Sequence, residues 1–425
     1  VSAPPGRLRA HVAAVLRPLV GGLPRTFWVL WLGTLVNRLG TFILPFLALY
    51  LTGERGFTVE RAGLVASLYG AGAVVAGPLG GMLADRVGRR LTVAGGLWLG
   101  AGAMLLLGFC REPVHIFGAA FLLGVVGELY RPAFFAIISD VVQEVDRPRA
   151  YGLLYWVLNV STVVSMPLAG FMSRQGFQLL FILDACTTFI YGTVIWALVP
   201  ETRPSTEGVR QTPADAGSML TPFRNLRFIG LVVPIFATTF ILCQGGVALP
   251  VDLESRGMDP AMFGTVMAVN GLIISVGEPL LLRATVRVRR LTLLAWGAVF
   301  TGAGFGLHSL SASAGLAAVA VGVWTLGEMI QSPVAPAVVA DLSPVDARGS
   351  YQGAFHMVWG LATCVAPALG GQVLGRHGAF ALWMGCLGLG LLAAVWYLVF
   401  GALLRRQVRP WGEPGPVIEA PGSGL

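Results

Sequence analysis

Six ionisable side chains sit inside stretches of otherwise apolar sequence: Arg38, Glu128, Arg131, Asp184, Glu278 and Glu328. Their types and spacing suit proton carriage and charge pairing. Glu128 and Arg131 are i,i+3 neighbours on one face of a helix, so Glu128 is expected to stay charged as a structural pair or gate and to stand second as a proton carrier. Arg38 is expected to reach the same region as a partner of Glu128, a preference that an anionic substrate would reverse. Glu328 has no basic residue in its segment, and its i+3 neighbour is Gln331. A carboxyl so placed can take up and release a proton reversibly, which makes Glu328 the first choice for coupling; the alternative is a permanently protonated group hydrogen-bonded between helices. Asp184 and Glu278 lie nearer the ends of their segments, where water is expected to reach them, and are read as structural. His356 titrates in the neutral range when unperturbed and joins the polar candidates.

Other chemistries lack their residues. All 29 basic residues are arginine, which excludes a lysine phosphate loop and lysine Schiff-base catalysis. The five cysteines are scattered singly, with no spacing for a disulfide frame or a zinc site. No H-E-x-x-H and no G-x-S-x-G occurs, so no enzyme, metal or cofactor is expected.

The elements that must position these groups follow from composition. Over 425 residues, 55% are hydrophobic and 12% charged, against roughly 25% charged in an ordinary soluble domain. A bilayer core about 30 Å thick needs about 20 apolar residues per helix. Twelve runs of that kind lie near 27–52, 61–83, 91–110, 114–138, 149–172, 177–199, 228–251, 261–282, 291–310, 313–340, 349–373 and 378–404. The expected fold is an all-α membrane protein with twelve transmembrane helices in two pseudo-symmetric six-helix bundles, 27–199 and 227–404. Segment 200–226 is expected to be a cytoplasmic linker and 405–425 a cytoplasmic tail. Residues 1–26 form a basic arm, either disordered or a surface helix able to meet anionic headgroups. The first run is too long, and too directly followed by further runs, for a cleaved signal peptide.

Arginine placement sets orientation. With both termini inside, the inner segments hold 21 arginines and 11 acidic residues, the outer loops six of each. The basic charge therefore reports topology in a bacterial-type inner membrane and gives no support for nucleic-acid binding.

The two halves repeat at an offset of 200 residues: Gly127-Glu128 recurs as Gly327-Glu328, Tyr151 as Tyr351, Pro167 as Pro367, and Arg89-Arg90-Leu91-Thr92 as Arg289-Arg290-Leu291-Thr292. Asp140 and Asp341 correspond with a one-residue slip. Parallel repeats of six spans place a binding cavity at their interface and rock about it.

The loop between the second and third runs reads Gly77-Pro78-Leu79-Gly80-Gly81-Met82-Leu83-Ala84-Asp85-Arg86-Val87-Gly88-Arg89-Arg90. It resembles the signature loop of the major facilitator superfamily, and the resemblance extends over essentially the whole chain. Tyr130-Arg131-Pro132-Ala133 leading to Asp140 resembles bacterial drug:proton antiporters, and Ala366-Pro367-Ala368-Leu369-Gly370-Gly371 resembles their antiporter pattern. The resemblance implies a cytoplasmic latch built from Gly81, Asp85, Arg86, Gly88, Arg89, Arg90 and Asp140, with Asp85 aimed at the start of the eleventh span and Arg89 paired with Asp140. Candidates for lining a substrate cavity are Asn37, Tyr69, Tyr130, Tyr155, Trp156, Asn159, Gln244, Asn270, Trp324, His356 and Trp359.

The expectation is a secondary transporter, working as a monomer, that exports a small, largely hydrophobic compound in exchange for protons by alternating access. A proton-independent or symport-type carrier of a polar metabolite is the alternative on the same fold; a receptor or intramembrane enzyme is remote.

Overall fold

The computed structural model describes residues 21–203, 221–285, 288–344 and 347–403. The basic arm through residue 20, most of the linker and the tail lie outside them.

The described chain is helical. In order, the helices are α1 (Arg25–Leu39), α2 (Ile43–Leu49), α3 (Val59–Arg86), α4 (Arg89–Phe109), α5 (Pro113–Glu128), α6 (Tyr130–Val141), α7 (Arg147–Ser173) and α8 (Phe177–Leu198). They continue as α9 (Leu226–Cys243), α10 (Ala248–Ser255), α11 (Pro260–Thr285), α12 (Arg290–Leu307), α13 (Ala314–Leu342) and α14 (Arg348–Leu403). Eleven helical segments among the described residues are long and apolar enough to cross a bilayer. The last, Ser350–Leu403, has 54 residues and contains two of the expected runs. Its two helices meet at Gly378, where φ 79° and ψ 171° interrupt the helix.

The chain packs into two compact units. Of the described residues, one comprises 21–203, 246–272 and 367–375, the other 221–245, 273–285, 288–344, 347–366 and 376–403. The core of the first gathers Phe27, Leu30, Leu97, Ile137, Leu154 and Ile195 from α1, α4, α6, α7 and α8. That of the second gathers Phe228, Leu294, Val338, Tyr351 and Tyr397 from α9, α12, α13 and α14.

Two departures from straight helix shape the first unit. The first expected run, read as one span, breaks between α1 and α2. The Gly40 and Thr41 amides donate back to Asn37 and Arg38 in a tight turn. A Cβ on Gly40 would strike the Thr187 side chain, so close packing against α8 requires glycine there. Between α5 and α6, Pro132 has no amide to donate to the Glu128 carbonyl, and the helix is interrupted at Leu129, between Glu128 and Tyr130.

Candidate functional site

The first unit holds a polar cluster between α1, α3, α5 and α8. Glu128 divides its oxygens between two partners: Tyr69 of α3 donates to Oε1 at 2.7 Å, and the Arg131 guanidinium lies 2.5 Å from Oε2. Across from it, α1 and α8 are joined by polar contacts at successive turns. Asn37 Nδ2 donates to Thr188 Oγ1 at 2.9 Å, and the Thr34 and Tyr191 hydroxyls lie 3.0 Å apart.

Asp184 is 1% exposed. This corrects the expectation that water reaches it. Its Oδ2 accepts the Phe42 and Ile43 amides at 3.0 and 3.2 Å, so it satisfies the orphan donors that the break in the first span creates. A carboxylate is stabilised there by two charge-assisted hydrogen bonds instead of solvent.

Two cavities open beside these groups, both inside the first unit. One, of about 70 Å³, is lined by Asn37, Arg38, Tyr69, Glu128, Tyr130 and Asp184 among others. The other, of about 120 Å³, is lined by Thr34, Asn37, Arg38, Tyr130, Arg131, Phe134, Phe135, Leu154, Leu158 and Tyr191. Arg38 therefore shares a cavity with Glu128, but the carboxylate itself is engaged by Tyr69 and Arg131.

In the second unit, Gly277 of α11 lies against Met329 of α13, and the adjoining residues on these two helices are Glu278 and Glu328. Both carboxylates are half-buried. Gln244 is fully buried, with Nε2 donating to the Phe240 and Ala366 carbonyls at 3.1 and 3.2 Å. Trp324 is 5% exposed and stacks on Phe305, which makes it a packing residue of this unit. His356, beside Phe355, and Trp359 are exposed on α14. Elsewhere, Asn159 on α7 donates to the Tyr155 carbonyl at 2.9 Å, and Asn270 is half-buried on α11.

The signature loop is built around Gly88. Its φ of 113° and ψ of 152° suit glycine alone, and a Cβ there would strike the Glu201 carboxylate. Glu201 accepts the Arg89 and Arg90 amides at 2.9 and 3.1 Å and so caps α4; Arg203 donates to the Arg86 carbonyl at 2.9 Å. Slight burial raises the Glu201 carboxyl, but backbone donors from Arg89, Arg203, Arg90 and Thr202 outweigh it and hold the group below the ordinary glutamate range. Arg89 forms an ion pair with Asp140, and the Arg90 guanidinium lies 4.5 Å from the centre of the Trp196 ring. Asp85 and Arg86 are exposed at the last turn of α3, with half-buried Gly81 one turn earlier.

The second half repeats the ion pair as Arg290–Asp341. Arg89 therefore corresponds to Arg290, and the repeat is 201 residues here. This corrects the match of Arg89 to Arg289 and removes the apparent slip at Asp341.

Sequence reasoning did not single out Thr34, Thr41, Thr188 and Tyr191. Asp184, Thr188 and Tyr191 follow one another at i, i+4 and i+7 on α8, a polar stripe at helical spacing that marks one face.

The family model of the Major Facilitator Superfamily matches residues 30–251 and 237–420. An uncharacterised MFS-type transporter of Bacillus subtilis, YttB, is 26% identical over 401 residues, covering 90% of this chain and 97% of its own. The multidrug resistance protein MdtH of Salmonella typhimurium is 22% identical over 393 residues, covering 89% and 94%. A crystal structure of a POT family transporter with a thioalcohol-conjugated peptide superposes with a TM-score of 0.77 at 16% identity, over 91% of this chain and 98% of that one. With helices long enough to span a bilayer and ionisable groups gathered inside them, the chain is a membrane transporter and belongs to the Major Facilitator Superfamily.

Proposed function

We propose that the protein exports a small, largely hydrophobic compound in exchange for protons, alternating access between two six-helix bundles of twelve spans with both termini in the cytoplasm. The observation that carries this reading is the packing of Gly277 in α11 against Met329 in α13, which puts the neighbouring carboxylates of Glu278 and Glu328 on two helices in contact. Two carboxylates opposed in a membrane interior repel, and one proton held between them relieves that repulsion; helix movement that separates them lets it go. Glu328 is the carrier, and Glu278 supplies the opposing charge. In the first unit, Glu128 stays paired with Arg131 as a gate. The relatives named for multidrug resistance support a drug-like small-molecule cargo.

One inward charge gains about 2.3 kcal/mol per 100 mV, enough for roughly a fifty-fold gradient per proton before any pH difference. The test is substrate-triggered proton movement in proteoliposomes, read with a trapped pH dye while hydrophobic anions, cations and neutral compounds are added in turn. Proton movement with at least one compound supports antiport. Labelled-compound flux without proton movement instead supports the proton-independent carrier.

A further inference from the structure

Arg38 stands in the last turn of α1 and lines both cavities of the first unit. Among the described residues, its guanidinium forms no ion pair and donates no hydrogen bond. Glu128 has its oxygens on Tyr69 and Arg131. Asp184 attracts Arg38 electrostatically but is buried and turned to the Phe42 and Ile43 amides. A half-buried guanidinium inside a membrane segment, with its donors facing a cavity, calls for an anion to accept them.

The larger cavity says which kind. No aspartate or glutamate lines it, whereas Arg38 and Arg131 do, and much of the remaining wall is aromatic or aliphatic: Tyr130, Phe134, Phe135 and Leu158. Arg131 is committed through Nε to Glu128 and adds positive charge without being the anchor. A planar carboxylate matches the guanidinium fork of Arg38, and a ring system attached to it matches the aromatic wall.

We propose that this cavity binds a small organic monoanion, a carboxylate on an aromatic or apolar body, with Arg38 as its anchor. The proposal names the substrate class of the transport reading above and rests on it only in taking the cavity as a cargo site; it does not depend on the proton carrier.

The test is equilibrium binding to the purified full chain in nanodiscs by titration calorimetry, with three probes on one scaffold: 2-naphthylacetate, its methyl ester, and 2-(2-naphthyl)ethylammonium. The carboxylate is expected to bind at least tenfold tighter than either other probe. Arg38→Gln is expected to weaken carboxylate binding at least tenfold and leave the ester within about twofold, with Arg38→Lys intermediate because it keeps the charge and loses the fork. Leu158→Trp fills the cavity without touching Arg38 and is expected to weaken the carboxylate at least tenfold, which keeps the test decisive where an Arg38 variant fails to fold. Equal or tighter binding of the ester or ammonium, no measurable carboxylate binding, or an unchanged carboxylate preference in Arg38→Gln overturns the proposal. Carboxylate binding without proton movement counts against antiport and leaves the site standing; proton movement driven by a cation that binds tighter than the carboxylate does the reverse.

Discussion

Tyr69 and Arg131 hold opposite oxygens of Glu128, the first from α3 at 2.7 Å and the second from the next turn of its own span at 2.5 Å. A half-buried carboxylate so held is fixed in place, which suits a gate better than a shuttle. A hydrogen bond to a charged acceptor contributes roughly 1.5–3 kcal/mol. Tyr69→Phe is therefore expected to slow transport about tenfold or more while the protein folds and inserts normally. Initial rates in proteoliposomes, beside a melting curve, check this.

The ion pairs Arg89–Asp140 and Arg290–Asp341 occupy equivalent places in the two halves. All four side chains are only partly exposed, so removing one partner leaves a charge with little solvent to replace it. Asp140→Asn is expected to lower stability by roughly 1 kcal/mol and the exchange of Arg89 with Asp140 to recover part of the loss. A double-mutant cycle on melting measures the coupling. The two pairs lie in different compact units, and their losses are expected to add.

Gly88 stands at φ 113° against the Glu201 carboxylate, and a side chain there meets both backbone strain and a steric block. Gly88→Ala is expected to cost about 1–3 kcal/mol. A loss of melting temperature with retained helical content checks it; an unchanged melt would show that the loop relaxes freely.

Glu201 caps α4 as a carboxylate, and its carboxyl is held below the ordinary value of 4.5. A depressed folded value means that its stabilisation is fully present above the unfolded value and fades as pH falls through the folded one. Because the group is exposed, the contribution sits at the low end of the roughly 0.3–1 kcal/mol of a charge at a helix N-terminus. Glu201→Gln is expected to melt below wild type at pH 7 and to converge with it as pH falls below the ordinary glutamate value and through the depressed folded one. A gap that persists or widens in acid contradicts the assignment.

The helices were legible because each span is an apolar run of bilayer length. The break at Gly40 was not, because its cause lies in residues far along the chain: Thr187 packs on that glycine and Asp184 takes the amides of Phe42 and Ile43. The same distance hid the role of Asp184, whose position near a span end suggested water. Arg38 was legible as an intramembrane cation, but its separation from Glu128 depends on how Tyr69 and Arg131 divide that carboxylate, which spacing along one strand of sequence does not encode. The one-residue shift at Arg290 escaped because Arg289 is also arginine, so only the ion pair to Asp341 distinguishes them.

The most direct test of proton exchange is substrate-triggered proton flux in proteoliposomes of wild type, Glu328→Gln and Glu278→Gln, with binding measured on the same preparations. Antiport through the opposed pair predicts that Glu328→Gln still binds cargo but moves no protons, and that Glu278→Gln moves them with a shifted pH profile. Normal proton flux in Glu328→Gln contradicts the assignment of the carrier, and cargo flux without proton flux in wild type contradicts antiport itself.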